Sequence, residues 1–88
     1  MSKEEQKKAT ALKYDRRTNS APAVVAKGRG IVAEQIIALA RKHGIPIKED
    51  RNLVEVLSTM NLYDEIPPEL YKAVAEVLFF IYRMSGRL

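Results

Sequence analysis

Apolar positions along the chain predict its elements before any other property is considered. Ala23-Val24-Val25-Ala26, stopped by Gly28, and Ile45-Pro46-Ile47, bounded by Gly44 and a charged cluster, read as two short strands. Between them Val32, Ile36, Leu39 and Ala40 recur at three- and four-residue steps, with Ala33 and Ile37 widening the stripe, so the spacing predicts a helix over Ile31 to His43. Gly30 stands at its start, and Gly44 followed by Pro46 marks its end. Two strands joined by such a crossover are expected to lie parallel with a right-handed connection.

The flanks are read in the same way. Thr10, Leu12 and Tyr14 alternate with Ala9, Ala11 and Lys13, which predicts a further strand over Ala9 to Tyr14. The polar segment Asp15 to Pro22 connects it to the central unit. Asp50 and Asn52 are both candidate N-caps for a helix whose face is Leu53, Val56, Leu57 and Met60, with Asn61 as its closing residue. A last helix is expected from about Pro68 to Met84, with Leu70, Val74, Val77, Leu78 and Ile81 buried and Ser85-Gly86 ending it. The fold class is therefore α/β: a small mixed sheet of about three strands packed with three helices, in the order β-β-α-β-α-α. Residues 1–8 have no apolar anchor and read as a flexible basic arm, leaving 9–85 as a single domain.

Composition narrows the chemistry. With no cysteine and only His43, the 88 residues lack both thiolate chemistry and the soft ligands of a zinc site, so no metal or other cofactor is expected. The longest apolar stretch, Val77 to Tyr82, is far short of a membrane span, so a cytoplasmic protein is expected. The net charge of +4 is concentrated in residues 1–30, which hold eight Lys/Arg against three Asp/Glu. That half offers no aromatic platform beyond Tyr14, so no nucleic-acid partner is expected.

Gly28-Arg29-Gly30-Ile31-Val32-Ala33, with Glu49 and Asp50 roughly twenty residues on, fits a dinucleotide-binding pattern, but three strands are too few to build the crevice such a site needs. The glycines are read instead as a tight strand-to-helix turn, beside which Lys27 and Arg29 are placed to attract a stray anion. No serine or threonine has a visible base partner, so the chain is not expected to be an enzyme. Tyr63, Tyr71, Phe79, Phe80 and Tyr82 read as core or core-edge residues of the helical layer. Val77 to Tyr82, however, is apolar around the whole helix, more than so small a domain can cover.

Four segments together carry a resemblance. Ala11-Leu12-Lys13-Tyr14-Asp15, Ala21-Pro22-Ala23-Val24-Val25-Ala26-Lys27-Gly28, Gly44-Ile45-Pro46-Ile47 and Glu65 to Leu78 resemble, in the same order, the cytoplasmic domain of the FlhB/YscU/SpaS proteins, the substrate-specificity switch proteins of flagellar and virulence type III secretion. Full-length members carry a membrane domain and an Asn-Pro-Thr-His sequence at which the chain cuts itself. Here the corresponding positions read Glu4-Glu5-Gln6-Lys7, so no self-cleavage is expected.

The resemblance implies an accessory or substitute for the cytoplasmic switch domain, peripheral to the membrane export gate, with export-gate components and export substrates as partners. A freestanding adaptor of the same fold, unrelated to secretion and binding nucleic acid or nucleotide, is the alternative. The resemblance also implies an apolar partner-binding patch at Ala21, Pro22, Ala75 and Leu78. The sequence itself adds that Ala75 and Leu78 lie three apart at one flank of the helix stripe. In the family a preceding strand pairs with the Ala-Leu-Lys-Tyr-Asp strand, so Ala9, Ala11 and Lys13 are expected on an open edge available to a partner strand or to a homodimer.

Overall fold

The computed structural model describes residues 6–15, 17–18 and 21–84. Most of the arm, positions 16, 19 and 20 of the polar connection, and the Ser85-Gly86 stop therefore lie outside the described residues. The elements are β1 (Lys8–Lys13), β2 (Ala23–Arg29), α1 (Ile31–Lys42), α2 (Arg51–Leu57), a 3-10 turn (Pro68–Leu70) and α3 (Tyr71–Met84). The fold is a mixed α/β arrangement with three helices, as the periodicity predicts. The sheet has two antiparallel strands, β1 and β2.

The third strand expected at Ile45-Pro46-Ile47 does not form, for a local reason. Gly44, at φ 69°, closes α1: the Ile45 N–H donates to the Ala40 carbonyl (2.8 Å) and the Gly44 N–H to that of Arg41 (3.2 Å). The Ile45 donor is thus spent on the helix end, and Pro46 has none, so the segment cannot feed a ladder. The free side of β2 is taken by residues 63–66 instead. Val24 donates to the Asp64 carbonyl (3.1 Å) and accepts from the Tyr63 N–H (2.6 Å), while Ile66 donates to the Pro22 carbonyl (2.9 Å).

One irregularity phases the sheet. Ala11 lies opposite Ala26 and Leu12 opposite Val24, so Val25 is an extra residue on β2. Thr10 and Leu12 share a face of the unbulged strand, and their partners Lys27 and Val24 are therefore brought to that same face although they are three residues apart. Val24, fully buried, packs there with Ala21, Leu53, Leu57, Ile66 and Val74, and Leu12, Leu70, Val77 and Leu78 close around them. Lys8 joins this face by an ion pair with Glu55 of α2 (2.6 Å). The opposite face carries Ala9, Ala11, Ala26 and Gly28, and α1 packs against it. A Cβ at Gly28 would collide with Cγ1 of Val32, so the bare backbone there lets the first turn of α1 approach.

α1 begins at Gly30, whose φ of 61° and ψ of −127° suit glycine alone. α2 is capped by Asp50 rather than Asn52, its carboxylate accepting from the Leu53 N–H (3.0 Å). The helix stops at Leu57, short of the Met60 and Asn61 expected from periodicity. Tight turns follow, and the half-buried Lys27 ammonium donates to the carbonyls of Met60 (2.6 Å) and Ser58 (3.3 Å), neutralising that helix end.

Two substitutions test this reading. Gly30→Ala forces a Cβ into a conformation L residues avoid, and urea denaturation is expected to show a loss of about 1–3 kcal/mol. Lys27→Met keeps the aliphatic stem but leaves the Ser58 and Met60 carbonyls without their charged donor, with an expected loss of about 1–2 kcal/mol by the same measurement.

Candidate functional site

Among the described residues there is no buried polar or charged side chain and no group of His, Cys, Asp or Glu that could hold a metal ion. The residues that suggested a nucleotide site have structural work: Gly28 admits α1, Gly30 turns the chain and Asp50 caps α2. The basic hollow lined by Lys8, Lys27, Arg29 and Ser58 has two of its three cations engaged, Lys8 by Glu55 and Lys27 by main-chain carbonyls. Asp15, after β1, accepts from the side chain and the N–H of Arg17, and these bonds hold its carboxyl below the usual carboxylate range. Both groups are at the surface, so this is a local turn lock.

What the surface offers is contact area, in two places. The first is the outer face of α3. Tyr71, Ala75, Phe79 and Tyr82 recur at four- and three-residue steps and all are exposed, Phe79 to 55%. Of the aromatics read as core or core-edge, Tyr71, Phe79 and Tyr82 are exposed: the core stripe of α3 runs through Val74 and Val77, and the ring-bearing stripe lies about a third of a turn round from it, on the solvent side. Tyr63 is 73% exposed and adopts φ 71°, unusual for a tyrosine. Phe80 is half buried beneath the Lys48 ammonium (5.1 Å), and Arg83 stacks over Phe79 (5.8 Å). Ala75, short between Tyr71 and Phe79 one turn to either side, leaves a notch in the stripe.

The four residues named for a patch divide between two layers. Ala75 is exposed and Leu78 half buried against the core. Ala21, at 2% exposure, and Pro22 are buried, and Ala21 belongs to the core cluster itself. Being buried, these two do not contribute exposed surface. Tyr71, Phe79 and Tyr82, expected at the core or its edge, are exposed beside Ala75. Their helical phase relative to Val74 and Val77 is the signal that distinguishes them.

The second place is the outer side of β1. In an antiparallel pair, residues alternate between turning both backbone groups toward the partner and turning both away. Val24 gives both of its groups to residues 63 and 64, so Leu12 opposite it faces outward, and the bond from the Gly30 N–H to the Lys7 carbonyl (2.7 Å) fixes the same phase at the other end. The outward row is therefore Lys8, Thr10 and Leu12. Ala9, Ala11 and Lys13, the residues expected to meet a partner strand, turn their backbone groups toward β2. Among the described residues no backbone group bonds this outer row.

Comparison with known proteins fits this architecture. Residues 6–81 match the model of the FlhB HrpN YscU SpaS family. The chain is 49% identical over 79 residues to YlqH, an uncharacterised protein of Bacillus subtilis, covering 90% of this chain and 85% of that one. It is 39% identical over 78 residues to the flagellar biosynthetic protein FlhB of Salmonella typhimurium, covering 88% of this chain but only 20% of that protein. Among solved structures, it superimposes on the cytoplasmic domain of FlhB from Shewanella putrefaciens with a TM-score of 0.83 at 36% identity, covering 92% of this chain and 67% of that one. A mutated EscU/SpaS C-terminal domain gives a TM-score of 0.83 at 27% identity, covering 88% of this chain and 96% of that one. By sequence over most of its length and by fold, the chain belongs to the FlhB HrpN YscU SpaS family.

Proposed function

We propose that this protein is an accessory to, or a substitute for, the cytoplasmic switch domain of a flagellar or type III export apparatus, and that it acts by binding without cutting itself. The carrying observation is the match over residues 6–81 to a family that includes flagellar FlhB, in a fold whose accessible features are contact surfaces. It works in the cytoplasm, peripheral to the membrane export gate, with gate components and export substrates as partners. An apolar side chain of a substrate segment sits in the Ala75 notch, walled by Tyr71, Phe79 and Leu78, while Ala21 and Pro22 support the patch from below. Such binding is weak, on the order of micromolar to millimolar, because the patch is small.

The test is an NMR titration of the protein with N-terminal segments of export substrates. Shifts are expected along the outer face of α3 and are expected to vanish in Ala75→Asp, which sits at the surface and leaves the fold intact. Equal binding by Ala75→Asp, or shifts confined elsewhere, would remove the patch from the reading. Ala21→Asp is a poor probe, since it would bury a charge in the core. Recovery of gate components with the tagged protein from its native cell tests the export role itself.

Self-cleavage in the family's manner needs an asparagine followed by proline, and Asn19, Asn52 and Asn61 are followed by serine, leucine and leucine. Intact mass after days at neutral pH is expected to show one species, and a fragment pair arising without protease would overturn the non-cleaving reading.

A further inference from the structure

The open side of β1 has a specific occupant written into its charges. Counted outward from Ala11, each residue of the segment 7–15 meets a compatible residue at the same distance on the other side: Lys7 meets Asp15, Lys8 meets Tyr14, Ala9 meets Lys13 and Thr10 meets Leu12. The segment is therefore self-complementary when a second copy runs antiparallel to it. We propose that β1 is a self-association edge, on which two copies of this chain pair antiparallel about a two-fold axis through Ala11 and join their sheets into one of four strands. This deepens the homodimer expectation, and it rests on the edge and its charges alone, not on the export reading.

The backbone phase permits this register. Ala11 turns its groups toward β2, so the pair on the axis is a non-hydrogen-bonded one whose two small side chains fit the close spacing. Thr10 and Leu12, whose groups face outward, then lie opposite one another and exchange bonds across the interface, twice by symmetry. The neighbouring register centred on Thr10 is worse, because it sets Lys7 opposite Lys13 at both ends. The remaining edge lysine, Lys8, is already paired with Glu55 of its own copy (2.6 Å), so it brings no uncompensated charge to the edge. Lysines on an edge strand commonly guard against pairing. Here Lys7 and Lys13 disfavour the register about Thr10, and Lys7 opposite Asp15 favours the one about Ala11.

Sedimentation equilibrium at low salt, carried to about 1 mM because so small an interface lies at the weak end of the range, is expected to show a monomer–dimer equilibrium. Thr10→Pro removes one outward N–H and no bond to β2, so it is expected to abolish the dimer while circular dichroism and melting temperature stay near wild type. Asp15→Asn keeps the oxygen that accepts from the Arg17 N–H and Nε, replaces the one that accepts from Nη2 and removes the charge opposite Lys7; loss of the two symmetric pairs is expected to weaken association by about 2- to 30-fold. In a chain without cysteine, Ala11→Cys is expected to cross-link on oxidation and Thr10→Cys is not. A wild type that is monomeric throughout, a folded Thr10→Pro that still dimerises, or cross-linking at position 10 in preference to 11 would each overturn the proposal. None of these results bears on binding by Ala75, so the two readings fail separately.

Discussion

Val24 holds the two halves of the chain together, and the rest of the structure depends on how it does so. Its side chain is fully buried among residues from α2, α3 and the segment before α3, while its N–H and C=O both bond residues 63 and 64. A single residue thus supplies the centre of the apolar cluster and the backbone seam that docks the helical half onto the hairpin. Both roles are possible because the bulge at Val25 turns Val24 and Lys27 to one face. Without the extra residue, strict alternation would set Lys27 opposite in phase to Val24, and the ammonium that closes α2 would point at α1.

The same arrangement decides which surfaces remain for partners. Residues 63–66 cover one side of β2 over residues 22–24 and β1 covers the other, and among the described residues the outer row of β1 is left without a backbone partner. The core draws Val74 and Val77 inward, and the helical period then carries Tyr71, Ala75, Phe79 and Tyr82 outward. The contact surfaces are what is left after a small core has been satisfied, which is why one is apolar and the other is a row of backbone groups.

Much of this was legible in the residues. Periodicity located α1, α2 and α3, alternation located β1, and the combined motifs identified the family. The errors have definite physical sources. Ile45-Pro46-Ile47 has the composition of a strand, but the Ile45 donor is consumed by a helix end and Pro46 has none, a condition that apolar patterning does not register. The pairing of residues 63–66 with β2 is long-range, and nothing local in Tyr63-Asp64-Glu65-Ile66 announces it. Ala21 and Pro22 look like surface because they follow a polar connection, yet the core cluster draws Ala21 in. Strand parity was invisible for a related reason: alternation in sequence tells which side chains share a face, not which backbone groups point outward.

The small residues beneath α1 have a consequence for motion. Its one fully buried side chain is Ala33, and the sheet face it covers is made of Ala9, Ala11, Ala26 and Gly28. Alanine and glycine bring backbones close but bury little apolar area, so α1 is attached by proximity more than by hydrophobic free energy. It is therefore the element with least to lose by detaching, and its amides should exchange with solvent hydrogen by local opening well before those of β2 or α3. The domain has a firm half around Val24 and a loosely held helix, with a stability gradient running between them.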